Sequence, residues 1–293
     1  MTLFDFHFGQ SPKSGLENPG SRNPGPEKVA IHVPLPHIDC CAQENWNLAP
    51  GETMTVLQSQ PLSTDLNITE ATEALYKDLL ERCPAGSIYR IWNFVPNINA
   101  RFGAIDQYMM FCKGRALAYD AADVADAELA AASALGYQTD HEGGHGYPIL
   151  AVVLTGPELV VAIENPQQTP AYQYPQTYGP NAPSFARAIA VSDGRFLASG
   201  TASIVNSESM FPAQPQSQAV LAAENLLLLL EQANISVAEQ PAVLRVYVRD
   251  PDHWQEVRTG IEARLPLNQM QVCVVQAEIC RPELLVELEL SIW

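Results

Sequence analysis

Residues 185–205 read FARAIAVSDGRFLASGTASIV: a β-rich run, the pair Asp193-Gly194, and a second β-rich run. Asp-Gly between two such runs is a strong hairpin signal, because the tight turn needs positive φ, which these residues tolerate. Working outward, QAVLAAENLLLLLEQAN (218–234) is apolar on most faces and predicts a well-buried helix. AVLRVYVRD (242–250) predicts a strand, and PDHWQEVRTGIEARL (251–265) a helix with proline in its first turn. QMQVCVVQAEIC (269–280) and ELLVELELSI (283–292) predict two closing strands. The order β-β-α-β-α-β-β predicts one sheet with two helices packed on one face.

The first half carries a similar pattern. MTVLQSQ (54–60) and SIYRIWNFVP (87–96) predict strands, and ITEATEALYKDLLERC (68–83) predicts a helix with Thr69 as its N-cap. Residues 103–135 read as helical over most of their length. YPILAVVLTG (147–156) and ELVVAIEN (158–165) predict two strands joined by a turn. Residues 8–28, rich in Gly, Pro, Ser and Asn, predict an irregular arm. The run 164–184 carries five prolines and three tyrosines and reads as a linker. The expected organisation is therefore an arm over 1–28, one α/β unit over 29–165 and another over 166–293.

The 293 residues carry 33 acidic and 16 basic side chains, a net charge of −17. Such a surface repels nucleic acid and anionic membranes, so neither is an expected partner. An anionic substrate would need a few arginines gathered in one pocket. No apolar run approaches the unbroken ~20 residues of a membrane helix. The start MTLFDFHFGQ lacks the basic and apolar regions of a signal peptide. The six cysteines form no C-x-x-C, so reduced thiols and a cytoplasmic location are expected.

His141-Glu142-Gly143-Gly144-His145 matches the H-E-x-x-H zinc-protease signature by letter. That chemistry needs a helix to put both histidines on one face. Each helix-interior glycine costs ~1 kcal/mol relative to alanine and proline ~3. With Gly146 and Pro148 following, the stretch predicts a loop and no metal site.

In 283–292, Leu284, Val286, Leu288 and Leu290 alternate with Glu283, Glu287 and Glu289. Period 2 puts Glu287 and Glu289 on one face, away from the helix-covered core. From pattern alone that face is a solvated acidic one. Arg90 and Arg249 sit in strands and receive no role.

Several segments, in order, resemble the chorismatase family: YRIWNFVPNIN (89–99), YMMFCKGRALAY (108–119), VVLTGP (152–157), ENPQQTPAYQYPQTYGPNAPSFARA (164–188), SGTASIV (199–205) and AEICRPELLVELE (277–289). The resemblance covers roughly residues 88–293. It implies an α+β fold of two tandem YjgF-like (chorismate-mutase-like) domains, each a mixed sheet with helices on one face. It also implies a lyase that splits chorismate into pyruvate and a cyclohexadiene or benzoate product, without cofactor or metal. By resemblance Glu287 is the general acid that protonates the enolpyruvyl methylene, an acid needing a raised pKa. Chorismate is a dianion, and arginine is the side chain that binds carboxylates bidentately. Arg115 and Arg187 fall in the family-like motifs and are the candidates, with Tyr108 and Tyr174 as hydroxyl donors. Gly200 and Ala202 are expected to shape the pocket wall.

Cys280 is seven residues before Glu287, a spacing that puts the two on opposite faces of one unbroken strand. A break at Pro282 would bring them together. The family pattern associates a cysteine here with release of 3-hydroxybenzoate. The alternatives are a dihydroxycyclohexadiene carboxylate, 4-hydroxybenzoate as a second product, or an imine deaminase or metabolite-binding protein of the same fold. Tandem units can bury between themselves what single-domain relatives bury by trimerising, so monomer and homotrimer are both compatible.

Overall fold

The hairpin at Asp193-Gly194 is present, with Gly194 at φ +96°. It joins two antiparallel neighbours in the second sheet. The computed structural model describes residues 41–43, 46–50, 54–59, 66–139, 149–237 and 241–293. The expected arm over 1–28 and the HEGGH stretch lie outside the described residues.

The first half contributes β1 (Cys41–Gln43), β2 (Trp46–Pro50), β3 (Thr55–Ser59), α1 (Ile68–Arg82), β4 (Ile88–Pro96), β5 (Arg101–Phe102), β6 (Ile105–Asp106), α2 (Gln107–Ala121), β7 (Ala131–Tyr137) and β8 (Leu150–Thr155). The second contributes β9 (Val160–Ile163), β10 (Ala188–Val191), β11 (Phe196–Ala198), β12 (Thr201–Ala202), β13 (Ile204–Val205), β14 (Glu208–Ser209), α3 (Pro215–Ala233), β15 (Ala242–Val248), α4 (Trp254–Glu262), β16 (Gln271–Gln276), β17 (Glu278–Ile279) and β18 (Val286–Ile292).

One sheet runs β1-β2-β3-β8-β4-β7-β17 and the other β16-β15-β18-β11-β10-β9. Within them, β2-β3-β8-β4-β7 and β10-β11-β18-β15-β16 have the same order by position in their unit. In each, the third and fourth strands pair in parallel and the last pairs antiparallel with the third. The helices repeat as well. A Cβ on Gly114 of α2 would lie 2.3 Å from the Thr69 carbonyl oxygen of α1, and one on Gly260 of α4 2.5 Å from that of Gln216 in α3. Each helix pair closes at a glycine where backbone meets backbone. The chain is thus an α+β tandem repeat.

Alternation along the strands builds the layers. Leu75, Leu79, Ile91, Val95, Phe111 and Val153 fill the space between α1, α2 and the first sheet. Leu226, Leu229, Val246, Leu288 and Leu290 do the same between α3, α4 and the second. The opposite faces meet each other: Trp92, Phe94, Val152 and Leu154 pack on Ile189, Val191, Leu197 and Tyr247. The two sheets therefore stack face to face with helices outside, removing from water the faces a lone unit would expose.

Three expectations change. The N-cap of α1 is Asn67, which forms a capping box with Glu70, while Thr69 Oγ1 donates to the Met110 carbonyl. The helix expected across 103–135 stops at Ala121, and residues 131–137 form a strand parallel to β4. Alanine-rich AASALGY favours helix locally, but buried pairing with β4 overrides that weak preference. The change of sheet also precedes residue 165. β9 pairs along its length with β10, so the proline-rich run connects neighbouring strands of the second sheet rather than two units.

Candidate active site

The face of β18 expected to be solvated is the buried one. Glu287 and Glu289 point between the sheets, with relative exposures of 4% and 0%. The parity was right, but what covers that face comes from the first unit, far away in sequence.

Glu289 is saturated. Trp92 Nε1 donates to its Oε1 at 2.6 Å, and Tyr247 Oη and Ser133 Oγ each donate to its Oε2 at 3.1 Å. Arg90 Nη2 lies 2.7 Å from Oε2, and Arg245 Nη1 lies 3.2 Å from Oε1. Both guanidiniums also lie over the Trp92 ring, at 4.9 and 5.4 Å. Burial alone would raise the Glu289 pKa, but the two arginines and the hydrogen bonds from Trp92 and Tyr247 outweigh it and hold it below the usual value. Arg90, left without a role by the sequence, is therefore a cross-sheet partner of Glu289.

Glu287, two residues earlier on the same face, is the opposite case. Its Oε1 is buried and has no hydrogen-bond partner among the described residues. Burial first, and the Glu289 charge second, push its pKa up to about 8 against the pull of Arg90 and Arg187. At neutral pH it is mostly a protonated acid. Gly200 makes room for it: a Cβ there would lie 1.9 Å from Glu287 Oε1 and 2.9 Å from Ser133 Oγ. Ala202 of β12 is its direct partner across the pair with β18, and takes part in a small apolar cluster with Ile204, Ile279 and Leu284.

Arg187 precedes β10 and is buried, close enough for its charge to act on Glu287. Its Nη2 donates to the Thr169 carbonyl at 2.9 Å and to Tyr174 Oη at 2.7 Å, while its Nε has no partner among the described residues. The guanidiniums of Arg187 and Arg281 both lie against the Tyr174 ring, at 5.5 and 5.3 Å, and that of Arg281 also lies 3.9 Å from the Tyr178 ring. The proline-rich run is thus strapped onto the site by two cations.

The break expected at Pro282 is real, and larger than a bulge. β17 belongs to the first sheet and β18 to the second, with residues 280–285 crossing between them. The crossover brings Cys280 close enough to feel the Glu287 charge. Burial and that charge push its pKa up to about 12, so it is a thiol and not a thiolate. Arg249 fastens the crossover: Nε donates to the Leu284 carbonyl at 2.9 Å, and Nη2 donates to those of Ile279 and Arg281 at 3.0 Å.

Tyr108 opens α2 and faces Cys112 and Cys280, and burial raises its hydroxyl pKa well above the usual value, keeping it neutral. Arg115, on the same helix, is buried over Phe111 at 4.9 Å and near Tyr76 and Cys112, and its Nε and Nη2 have no hydrogen-bond partner among the described residues. It neighbours Tyr108. It reaches the rest of the site through Tyr108 and Cys280, and no contact with Glu287 joins it directly. So Glu287, Gly200, Ala202, Arg187, Tyr174 and Cys280 form one group, with Tyr108 beside Cys280 and Arg115 behind it.

Sequence reasoning missed the Glu289 cage. Its signal was there: Arg245 and Tyr247 share a parity in an otherwise apolar strand, opposite Glu289 and Glu287. In the first unit the corresponding face of the last strand carries Val152 and Leu154, so the carboxyl pair belongs to the second unit alone. Among the described residues, no cluster of His, Cys, Asp and Glu could hold a metal ion, and no helix is long and apolar enough to cross a membrane. A cavity of about 710 Å3 opens beside Trp293, at the other end of β18. Arg195 there is paired with Asp193, so its charge is offset.

Residues 39–147 match the family described as Chorismatase FkbO/Hyg5-like, N-terminal. Over 241 residues the chain is 35% identical to a 3-hydroxybenzoate synthase of Streptomyces hygroscopicus, spanning 75% of this chain and 68% of that one. Over 235 residues it is 33% identical to a chorismatase of Streptomyces rapamycinicus, spanning 74% and 68%. A crystal structure of a chorismatase superposes with a TM-score of 0.74 at 27% identity, covering 87% of this chain and 80% of that one. With the sheet order, the buried acid and these relatives together, the chain is an enzyme that belongs to the chorismatase family.

Proposed function

We propose that the protein cleaves chorismate to pyruvate and 3-hydroxybenzoate, with Glu287 as the general acid. The observation that carries this reading is a buried carboxyl with one oxygen unpartnered among the described residues, its pKa pushed up by burial, within reach of a buried arginine's charge. Glu287 gives its proton to the terminal methylene of the enolpyruvyl ether, leaving an oxocarbenium ion. Water adds to that cation, and the ether carbon–oxygen bond breaks to release pyruvate. Formation of the aromatic product also requires the ring's free hydroxyl to leave as water while the neighbouring ring carbon, the one that bore the ether oxygen, loses its hydrogen as a proton, so no net water is consumed. The relative named a 3-hydroxybenzoate synthase supports this output.

Arg187 and Arg115 receive the two substrate carboxylates: Nε of Arg187 and Nε and Nη2 of Arg115 have no hydrogen-bond partner among the described residues. Tyr174 and Tyr108 donate hydroxyl hydrogen bonds. Cys280 acts as a neutral thiol that shapes the wall against the ring and steers the intermediate towards the aromatic product. Incubation with chorismate and chromatography of the products tests the reading. Glu287→Gln should abolish cleavage, and wild-type turnover by that variant would remove the general-acid assignment. Cys280→Ala should shift output from 3-hydroxybenzoate towards the cyclohexadiene diol, and an unchanged ratio would remove the product assignment.

A further inference from the structure

We propose that Glu289, which has no lone pair to spare for substrate, is a positioning residue: a fixed buried anion that keeps Glu287 in its acid form. This rests on the reading of Glu287 as the acid. Both carboxyls project from one face of β18 two residues apart, in the same water-poor layer between the sheets. One is gripped by five donors from both sheets, and the other keeps a free oxygen. Two ionised carboxylates so close in a low-dielectric layer repel, so the one with partners ionises and the other holds its proton.

The charged and titratable groups around Glu287 come from every packed element. They are Glu289 on its own strand, Arg90 on β4, Arg187 before β10, Tyr247 across on β15, and Cys280 on the crossover. Tyr247 and Cys280 are neutral at working pH. Arg90 and Arg187 both favour the carboxylate form of Glu287, and burial first and then Glu289, the one anion among the described residues that acts on it, oppose them. Arg90 also spans the sheets to Glu289, so a charge removed from either end of that ion pair acts on Glu287 with opposite sign. The donor cage is what makes the anion permanent, because Glu289 cannot relieve the repulsion by taking the proton itself.

The test is to titrate Glu287 directly in the full chain, following the protonated-carboxyl infrared band that disappears in Glu287→Gln. Glu289→Gln, which keeps the size and removes the charge, should move that titration down by about one pH unit or more. Arg90→Met should move it up, and the double variant should return it towards wild type. A merely structural Glu289 would lower thermal stability in these variants and leave the titration where it was. An unmoved titration in folded Glu289→Gln overturns the proposal. If Glu289→Gln does not fold, Arg90→Met and the double variant carry the test, and an unmoved titration in Arg90→Met overturns it equally. The readout is independent of turnover: were Glu287→Gln still active, the general-acid reading would fall while the electrostatic coupling stood or fell on its own titration.

Discussion

Gly200 lies so close to the carboxyl of Glu287 that a Cβ built on it would fall 1.9 Å from Oε1, well inside van der Waals contact. Beside it, Ser133 Oγ leaves no second way out, at 2.9 Å from the same point. Gly200→Ala should therefore displace the Glu287 side chain while leaving the surrounding strands paired. The expected loss of chorismate cleavage is about 100-fold or more, the lower end of what a positioned acid contributes. Circular dichroism should stay unchanged, and near-normal activity in a folded Gly200→Ala would contradict the close fit.

Activity should require Glu287 protonated and should fall as pH rises through about 8. The same shift acts on stability. Folded Glu287 binds its proton far above its unfolded value, so its contribution is complete at acid pH and is lost as pH rises from the ordinary carboxylate range through about 8. Thermal melts should show Glu287→Gln gaining on wild type between pH 5 and pH 9. A Tm difference independent of pH would contradict this.

Arg187→Lys should raise KM for chorismate at least about tenfold, because an ammonium cannot reproduce a planar fork that already spends Nη2 on Tyr174 and the Thr169 carbonyl. Tyr174→Phe should give a smaller effect in the same direction, since it removes only the hydroxyl. Steady-state kinetics on both variants separates them, and an unchanged KM in Arg187→Lys would place the substrate carboxylates elsewhere.

Gly114→Ala and Gly260→Ala should destabilise the two units in parallel, as each added methyl meets backbone of the facing helix at 2.3 and 2.5 Å. Losses of roughly 1–3 kcal/mol each are expected from such overpacking. Denaturant unfolding measures them, and a stable Gly114→Ala would mean that α1 and α2 can separate without cost.

Cutting the Glu289 cage should be costlier. Glu289→Ala leaves Arg90 and Arg245 buried without their shared carboxylate. Losing one partner from a buried ion cluster costs about 3–5 kcal/mol, so this variant should melt well below wild type. A Tm within a degree or two of wild type would mean that water enters the layer between the sheets.

The sequence by itself determined the local pieces. Asp193-Gly194 dictated its turn, the apolar run at 218–234 its helix, and period 2 in LLVELEL put Glu287 and Glu289 on one face. Each is a property of a few neighbouring residues and needs no distant partner. Order and chemistry also singled out Glu287, Arg187 and Gly200, by resemblance. Only the tertiary structure decided that the shared face of the two glutamates is dry, because its cover comes from Trp92, Arg90 and Ser133, more than 150 residues away. The fates of AASALGY and β9 were settled the same way, by long-range pairing that outweighs local preference. The difference between an ionised Glu289 and a protonated Glu287 is likewise invisible in the letters. Two identical side chains, two residues apart, are pushed in opposite directions: burial and the neighbouring charge raise the pKa of Glu287, while Arg90, Arg245 and the donors around Glu289 outweigh burial and lower its own.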